Sequence, residues 1–242
     1  MANYDAVVDR LTALQPDIHL RILDHIAGFP VYSATINPSA TASFLWVNAG
    51  THGDEPAGVE AALRFLECWC PDRLIETKVL VTPCLNPFGY RNDLRENHDG
   101  IDVNWAFKRD DVAEIKTIKR LIDGVKLNAI IDLHEDWESP GYYLYEQIRN
   151  RSSLGRTITE RVRTFCPVND ESTIEGEIAS LGVIYPSMDV PKRKSGEGVP
   201  VEVFNRATDH QITSESPSCR PVAERVKAHL TAIDVLLCEY GQ

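Results

Sequence analysis

The 242-residue chain has no apolar run approaching the roughly 18–20 residues that a membrane-spanning helix requires. Its first residues, Met1-Ala2-Asn3-Tyr4-Asp5, carry no basic stretch and no apolar segment follows them, so the expectation is a chain without a secretory leader. Basic residues are in deficit, with 25 Lys and Arg against 36 Asp and Glu, a formal charge of −11. That balance argues against nucleic acid or an anionic membrane surface as the main partner. Repeats, low-complexity tracts and dividing linkers are also lacking, so the reading is one domain over residues 1–242. None of the six cysteines, at 68, 70, 84, 166, 219 and 238, forms a Cys-x-x-Cys pair. Scattered through apolar segments, they read as reduced thiols of a cytoplasmic protein rather than a disulfide framework.

What is present is a core. Apolar residues make up 43% of the chain, well outside the disordered range. Val7, Val8, Leu11 and Leu14 at helical spacing predict a helix over 5–14, stopped before Pro16. Two apolar runs around Gly28-Phe29-Pro30 predict a hairpin within 19–36. Continuous apolar runs at 43–48, 78–82 and 129–133 predict strands buried on both faces. Helices are predicted at 56–68, 110–122, 154–165 and 221–238, and further strands at 142–145 and 211–213. Residues 186–200, rich in Pro, Lys, Gly and Ser, read as an exposed loop. Alternating strands and helices predict an α/β domain whose sheet is largely parallel, with helices on both faces and the active site beyond the C-terminal strand ends.

The charged motifs fall at those ends. Gly50-Thr51-His52-Gly53-Asp54-Glu55-Pro56 follows a strand and opens a helix. An imidazole and a carboxylate three residues apart on a tight turn can converge on one metal ion. Read alone, the same residues also suit an ordinary helix start, with acids complementing its dipole. His134 ends the strand Ile130-Ile131-Asp132-Leu133, and Asp132, two residues earlier on the same face, can orient its ring. A catalytic zinc site takes three protein ligands and keeps one position open. His52, Glu55 and His134 supply that number. Between two strands lies the stretch from Asn86 to Phe107, with Arg91, Arg95 and Asn104. Its length and its Gly, Asn and Asp content suit a functional loop, with cations and an amide to grip a carboxylate or steady an oxyanion. Glu215, in Thr213-Ser214-Glu215-Ser216-Pro217, is a candidate general base, and Glu202 is a second candidate.

Taken in order, these motifs resemble the zinc carboxypeptidase family, the group with a His-x-x-Glu…His metal site. The turn at His52 to Glu55 resembles its Gly-x-His-Gly-x-Glu signature, and the segment Gly100-Ile101-Asp102-Val103-Asn104-Trp105 resembles its Gly-Val-Asp-Leu-Asn-Arg stretch. Gly50 to Glu55 also resembles the related succinylglutamate desuccinylase and aspartoacylase branch. The resemblance implies a mixed, largely parallel twisted sheet and one zinc per chain on His52, Glu55 and His134. Glu215 would then be the base, Arg95 would polarise the scissile carbonyl, and Asn104 would hold a substrate carboxylate. Trp105 stands where the family has the arginine that clamps that carboxylate, a contact Trp cannot make. Arg91, Arg109 or Arg193 could substitute, and Tyr185 is the nearest counterpart of the family's pocket tyrosine. The implied activity is metallocarboxypeptidase-type hydrolysis of a peptide. The alternatives are an amidohydrolase acting on an N-acyl amino acid and a zinc-binding pseudoenzyme.

Overall fold

A computed structural model describes residues 3–15, 17–69, 76–186 and 198–241. Helix α1 (Tyr4–Ala13) is capped by Asn3, whose side chain accepts from the amides of Asp5 and Ala6. Strands β1 (His19–Ile26) and β2 (Phe29–Ile36) form the expected hairpin. Its two turn residues, Ala27 and Gly28, both have positive φ, which matches the turn to the twist of the strands. Then follow β3 (Ser43–Ala49), α2 (Pro56–Glu67), β4 (Thr77–Thr82), α3 (Pro87–Asn92) and a 3-10 turn at Val103–Trp105. The chain continues through α4 (Ala113–Ile122), β5 (Ala129–Asp136), β6 (Tyr143–Ile148) and α5 (Gly155–Val162). Three short strands come next, β7 (Thr173–Ile174), β8 (Glu177–Ser180) and β9 (Val183–Ile184). The chain ends with α6 (Val199–Ala207), β10 (His210–Pro217) and α7 (Val222–Tyr240).

The strands make one sheet in the order β1-β2-β4-β3-β5-β10-β6-β9-β8-β7. The parallel expectation holds for the centre, where β4, β3, β5 and β10 run the same way. The flanks are mostly antiparallel: β2 against β4, β6 against β10, and the β7–β8–β9 meander. The sheet is therefore mixed. Of the stretch 186–200 that reads as a loop, residues 187–197 lie outside the described residues, and Val199 onward is helix α6. Pro200 sits in that helix's first turn, where its missing N–H leaves no bond unmade.

Strand alternation decides where the site can be. Ala129, Ile131 and Leu133 of β5 face a core built with α1, α2, α5 and α7. Ile130 faces the opposite core, built with α4 and α6. Asp132 and His134 share the parity of Ile130 and so lie on that second face. The same alternation puts Gln211, Thr213 and Glu215 of β10 and Tyr143, Tyr145 and Gln147 of β6 around one cavity of about 300 Å³. The cavity starts at the C-terminal ends of β3 and β5 and extends back over the sheet face. A one-residue slip of β10 would carry Glu215 to the far side.

Candidate metal centre

The turn after β3 is built for close approach. Gly53 lies against α3: a Cβ there would sit 1.8 Å from the carbonyl carbon of Gly89 and 2.1 Å from the amide nitrogen of Tyr90. The Gly53 amide donates to the Leu94 carbonyl at 2.9 Å. This contact presses the His52 turn onto the segment that carries Arg95 and Asp102. Gly53→Ala is expected to destabilise the chain by at least the about 1–3 kcal/mol of an overpacked core, read as a lower midpoint in urea. An unchanged midpoint would show that the turn does not depend on that contact.

His52 Nδ1 lies 2.6 Å from Glu55 Oε1, and His134 Nδ1 lies 2.8 Å from Glu55 Oε2. The two Nδ1 atoms are 3.2 Å apart. The two ring nitrogens are close to the about 3.3 Å spacing that 2.0–2.1 Å bonds impose on a tetrahedral ion, and the Glu55 carboxylate is in hydrogen-bond contact with both. All three residues are buried. Each ring is oriented through its other nitrogen: His52 Nε2 is 3.0 Å from Asp102 Oδ1, and His134 Nε2 is 3.3 Å from Asp132 Oδ2. Asp132 accepts in turn from Asn48 Nδ2 at 2.8 Å, Thr82 Oγ1 donates to Asn48 Oδ1, and Trp46 Nε1 donates to Thr82 Oγ1 at 2.9 Å. A line of bonds across β4, β3 and β5 thus holds Asp132, whose carboxylate makes an ion-pair contact with the His134 ring.

The electrostatics fit a cation. Burial alone would lower the pKa of His52, but Glu55 and Asp102 outweigh it and hold the ring protonated more strongly than usual. Burial likewise opposes charge on His134, and Glu55 and Asp132 overcome it by a wider margin. Burial would raise Glu55, yet the two imidazoles bring it down to about 2. In the metal-free chain protons supply positive charge that these carboxylates favour; a divalent ion on two imidazoles and a carboxylate replaces them. The donor set fits zinc and would also accept cobalt or manganese.

Around this centre the structure gathers Arg95, Asn104, Trp105 and Glu215, all lining the cavity. Arg95 Nε donates to Asp102 Oδ2 at 3.0 Å, and its Nη1 lies 3.5 Å from Glu55 Oε1. Asn104 Oδ1 is buried with no partner among the described residues. Trp105 packs beside Gly198. Glu215 stands next to His134 in the parallel ladder of β10 and β5. Burial, with Glu55 and Asp136 nearby and the imidazoles opposing, pushes its carboxyl up to about 8.

Two expected substrate contacts are not brought to the cavity. Arg91, in the last turn of α3, bonds Asp5 at 3.0 Å and lies over the Phe29 ring. Tyr185 is 49% exposed and its hydroxyl pairs with Ser153 at 2.7 Å. Arg109 bonds Asp111, and Glu202 receives a bond from Arg206 on its own helix. Arg193 lies outside the described residues. The motifs alone did not single out Asp102, although it lies inside the Gly100–Trp105 segment. Its cue was the position two residues before Asn104, on the segment that returns to the His52 turn.

No helix of the described residues is long and apolar enough to cross a membrane, and the five described cysteines are free. In fold the chain is similar to candidate metallopeptidases of known structure. For the one from Shewanella amazonensis the TM-score is 0.83 at 19% identity, covering 98% of this chain and 92% of that one. For the one from Shewanella denitrificans it is 0.85 at 18%, covering 99% and 91%. A metallo-carboxypeptidase from Burkholderia cenocepacia gives 0.68 at 16%, covering 98% and 69%. At these identities the likeness shows the fold alone. No curated protein matches the sequence. The model of the succinylglutamate desuccinylase/aspartoacylase catalytic domain matches residues 42–165, a stretch that includes His52, Glu55, Arg95, Asn104 and His134. That match spans just over half of the chain, and the protein therefore belongs to the succinylglutamate desuccinylase/aspartoacylase catalytic-domain family.

Proposed function

We propose that the chain is a zinc-dependent hydrolase that cleaves an amide bond in a small acylated amine, an N-acyl amino acid or a short peptide. The observation that carries this reading is the convergence of His52, Glu55 and His134 beside Glu215, on one wall of a cavity large enough for such a substrate. Zinc held there supplies a Lewis acid that acidifies water and polarises the scissile carbonyl. Glu215 takes the proton of the attacking water on its carboxylate and returns it to the leaving nitrogen. The Arg95 guanidinium, kept charged by Asp102 and Glu55, donates to the oxygen on which negative charge develops. The products are an acid and an amine.

Trp105 bears on the choice between the two readings of the substrate. A carboxypeptidase grips a free C-terminal carboxylate, and a guanidinium beside Asn104 would serve that purpose. Here the position offers an indole face and one N–H. Among the described lining residues Arg95 is the only cation apart from the histidines, and it already faces Asp102 and Glu55. This favours the amidohydrolase reading and a substrate with an apolar or aromatic group near the scissile bond.

The experiment is a chromatographic screen of the zinc-loaded protein against N-acyl amino acids and short peptides, each as free acid and as amide. Cleavage that a chelator abolishes and zinc restores supports the proposal; no cleavage of any member overturns it. For the amidohydrolase reading, the expected wild-type kcat/KM ratio of free acid to amide is below tenfold. Trp105→Arg raises that ratio by roughly tenfold to a few hundredfold, the equivalent of one charge-assisted fork. A wild-type ratio of a hundredfold or more would return the assignment to a carboxypeptidase.

A further inference from the structure

Helix α2 begins at the metal site, and its first residues pose a problem. Glu55 occupies the N-cap position, where a side-chain oxygen ordinarily accepts an amide of the first turn. It makes no such bond, because its carboxylate is turned to His52 and His134. Pro56 has no N–H, which leaves the amide of Ala57 as the first that needs a partner. That partner is Glu135, the residue after His134 on β5. Glu135 Oε1 accepts from the Ala57 amide at 2.6 Å. Its carboxylate bonds towards α2 and α7, although the residue also borders the cavity that His134 faces. There Oε2 accepts from Arg225 Nη1 of α7 and, at 3.4 Å, from Ser218 Oγ. Glu135 is 6% exposed, so its charge is buried with the cation that balances it.

We propose that Glu135 is a positioning residue that caps α2 from the neighbouring strand and so leaves Glu55 to the metal. Adjacent residues of β5 thereby do two jobs: His134 offers a donor on one face, and Glu135 anchors the helix that presents Glu55 from the other. The spacing between two of the three donors is set by a single dipeptide. Without the cap, the Glu55 carboxylate has a competing partner in the first turn of its own helix, and the donor set loosens. The inference rests on the metal reading given under Proposed function.

The test is zinc affinity, measured by competition with a chromophoric chelator, for wild type, Glu135→Ala and Glu135→Gln. Loss of groups that orient metal ligands costs about 10–100-fold in affinity, and Glu135→Ala is expected to fall in that range. The amide oxygen of the introduced glutamine can still accept from Ala57, so Glu135→Gln is expected to bind zinc within a few fold of wild type. Its melting temperature should nonetheless drop, because Arg225 is left buried without its anion. A purely structural role would give the opposite split, with lower melting temperatures in both variants and zinc affinity unchanged in Glu135→Ala; that result overturns the proposal. If wild type itself binds no zinc, the metal reading fails first. Amide exchange of the metal-free wild type then decides the cap, as it also does if Glu135→Ala does not fold. A protected Ala57 amide supports the cap, and rapid exchange there overturns it.

Discussion

Glu215→Gln is expected to keep its zinc and lose turnover by about 10²–10⁴-fold, the range of a removed general base. Glutamine preserves the shape of the side chain and removes only its capacity to take a proton. The position is dictated by the sheet. Glu215 is paired with His134 in the β10–β5 ladder, so its side chain leaves the sheet on the same face and at the same level as that candidate ligand. Its surroundings suit a proton acceptor. Burial raises the carboxyl to about 8 without a metal, and the charge of a bound cation would draw that value down towards neutrality. The wild-type pH profile should therefore fall on the acid side as Glu215 takes up its proton, and the glutamine variant should lose that limb. The competing candidate Glu202 lies on α6, where it binds Arg206, and is not among the lining residues. If Glu202→Gln abolishes turnover while Glu215→Gln spares it, the assignment of the base is wrong.

The parts of the molecule that sequence reveals are those whose cause is local. Strands β3, β4 and β5 are buried on both faces, so they appear as unbroken apolar runs. The His52 turn and His134 were legible because a metal needs particular donors at strand ends. The meander β7–β9 was not, since strands of two to four residues leave no periodicity to count. Helix α6 was hidden by its own start, because Gly198 and Pro200 read as loop formers although both suit a helix N-terminus. Helix α3 was missed for a similar reason: Asn86 and Pro87 open it, and Asn86 accepts from the Gly89 amide.

Side-chain direction is the other thing that spacing leaves open. Arg91 is four residues from Arg95, yet α3 turns it toward α1 and Asp5 while Arg95 turns into the cavity. Tyr185 follows β9 directly, and its hydroxyl reaches Ser153. Asp102 and Glu135 were overlooked because each lies within two residues of one with a more obvious role, Asn104 and His134. Their functions depend on contacts 50 and 78 residues away along the chain, with His52 and with Ala57.

His134→Ala has the largest expected effect of all, because it removes one of three donors and empties the place where β5, the His52 turn and α2 meet. Two ligands on one turn cannot enclose an ion, and the carboxylates that favour positive charge in the pocket do not replace a lost bond. The measurement is zinc content per chain by atomic emission. Wild type and His134→Ala are stripped with a chelator, reloaded with zinc and desalted, and circular dichroism verifies that both are folded. The predicted result is one zinc per wild-type chain and none retained by His134→Ala, with chelator-sensitive hydrolysis lost in step. A wild-type chain that holds no zinc, or a folded His134→Ala that holds as much as wild type, would contradict the assignment of His52, Glu55 and His134 as the metal site.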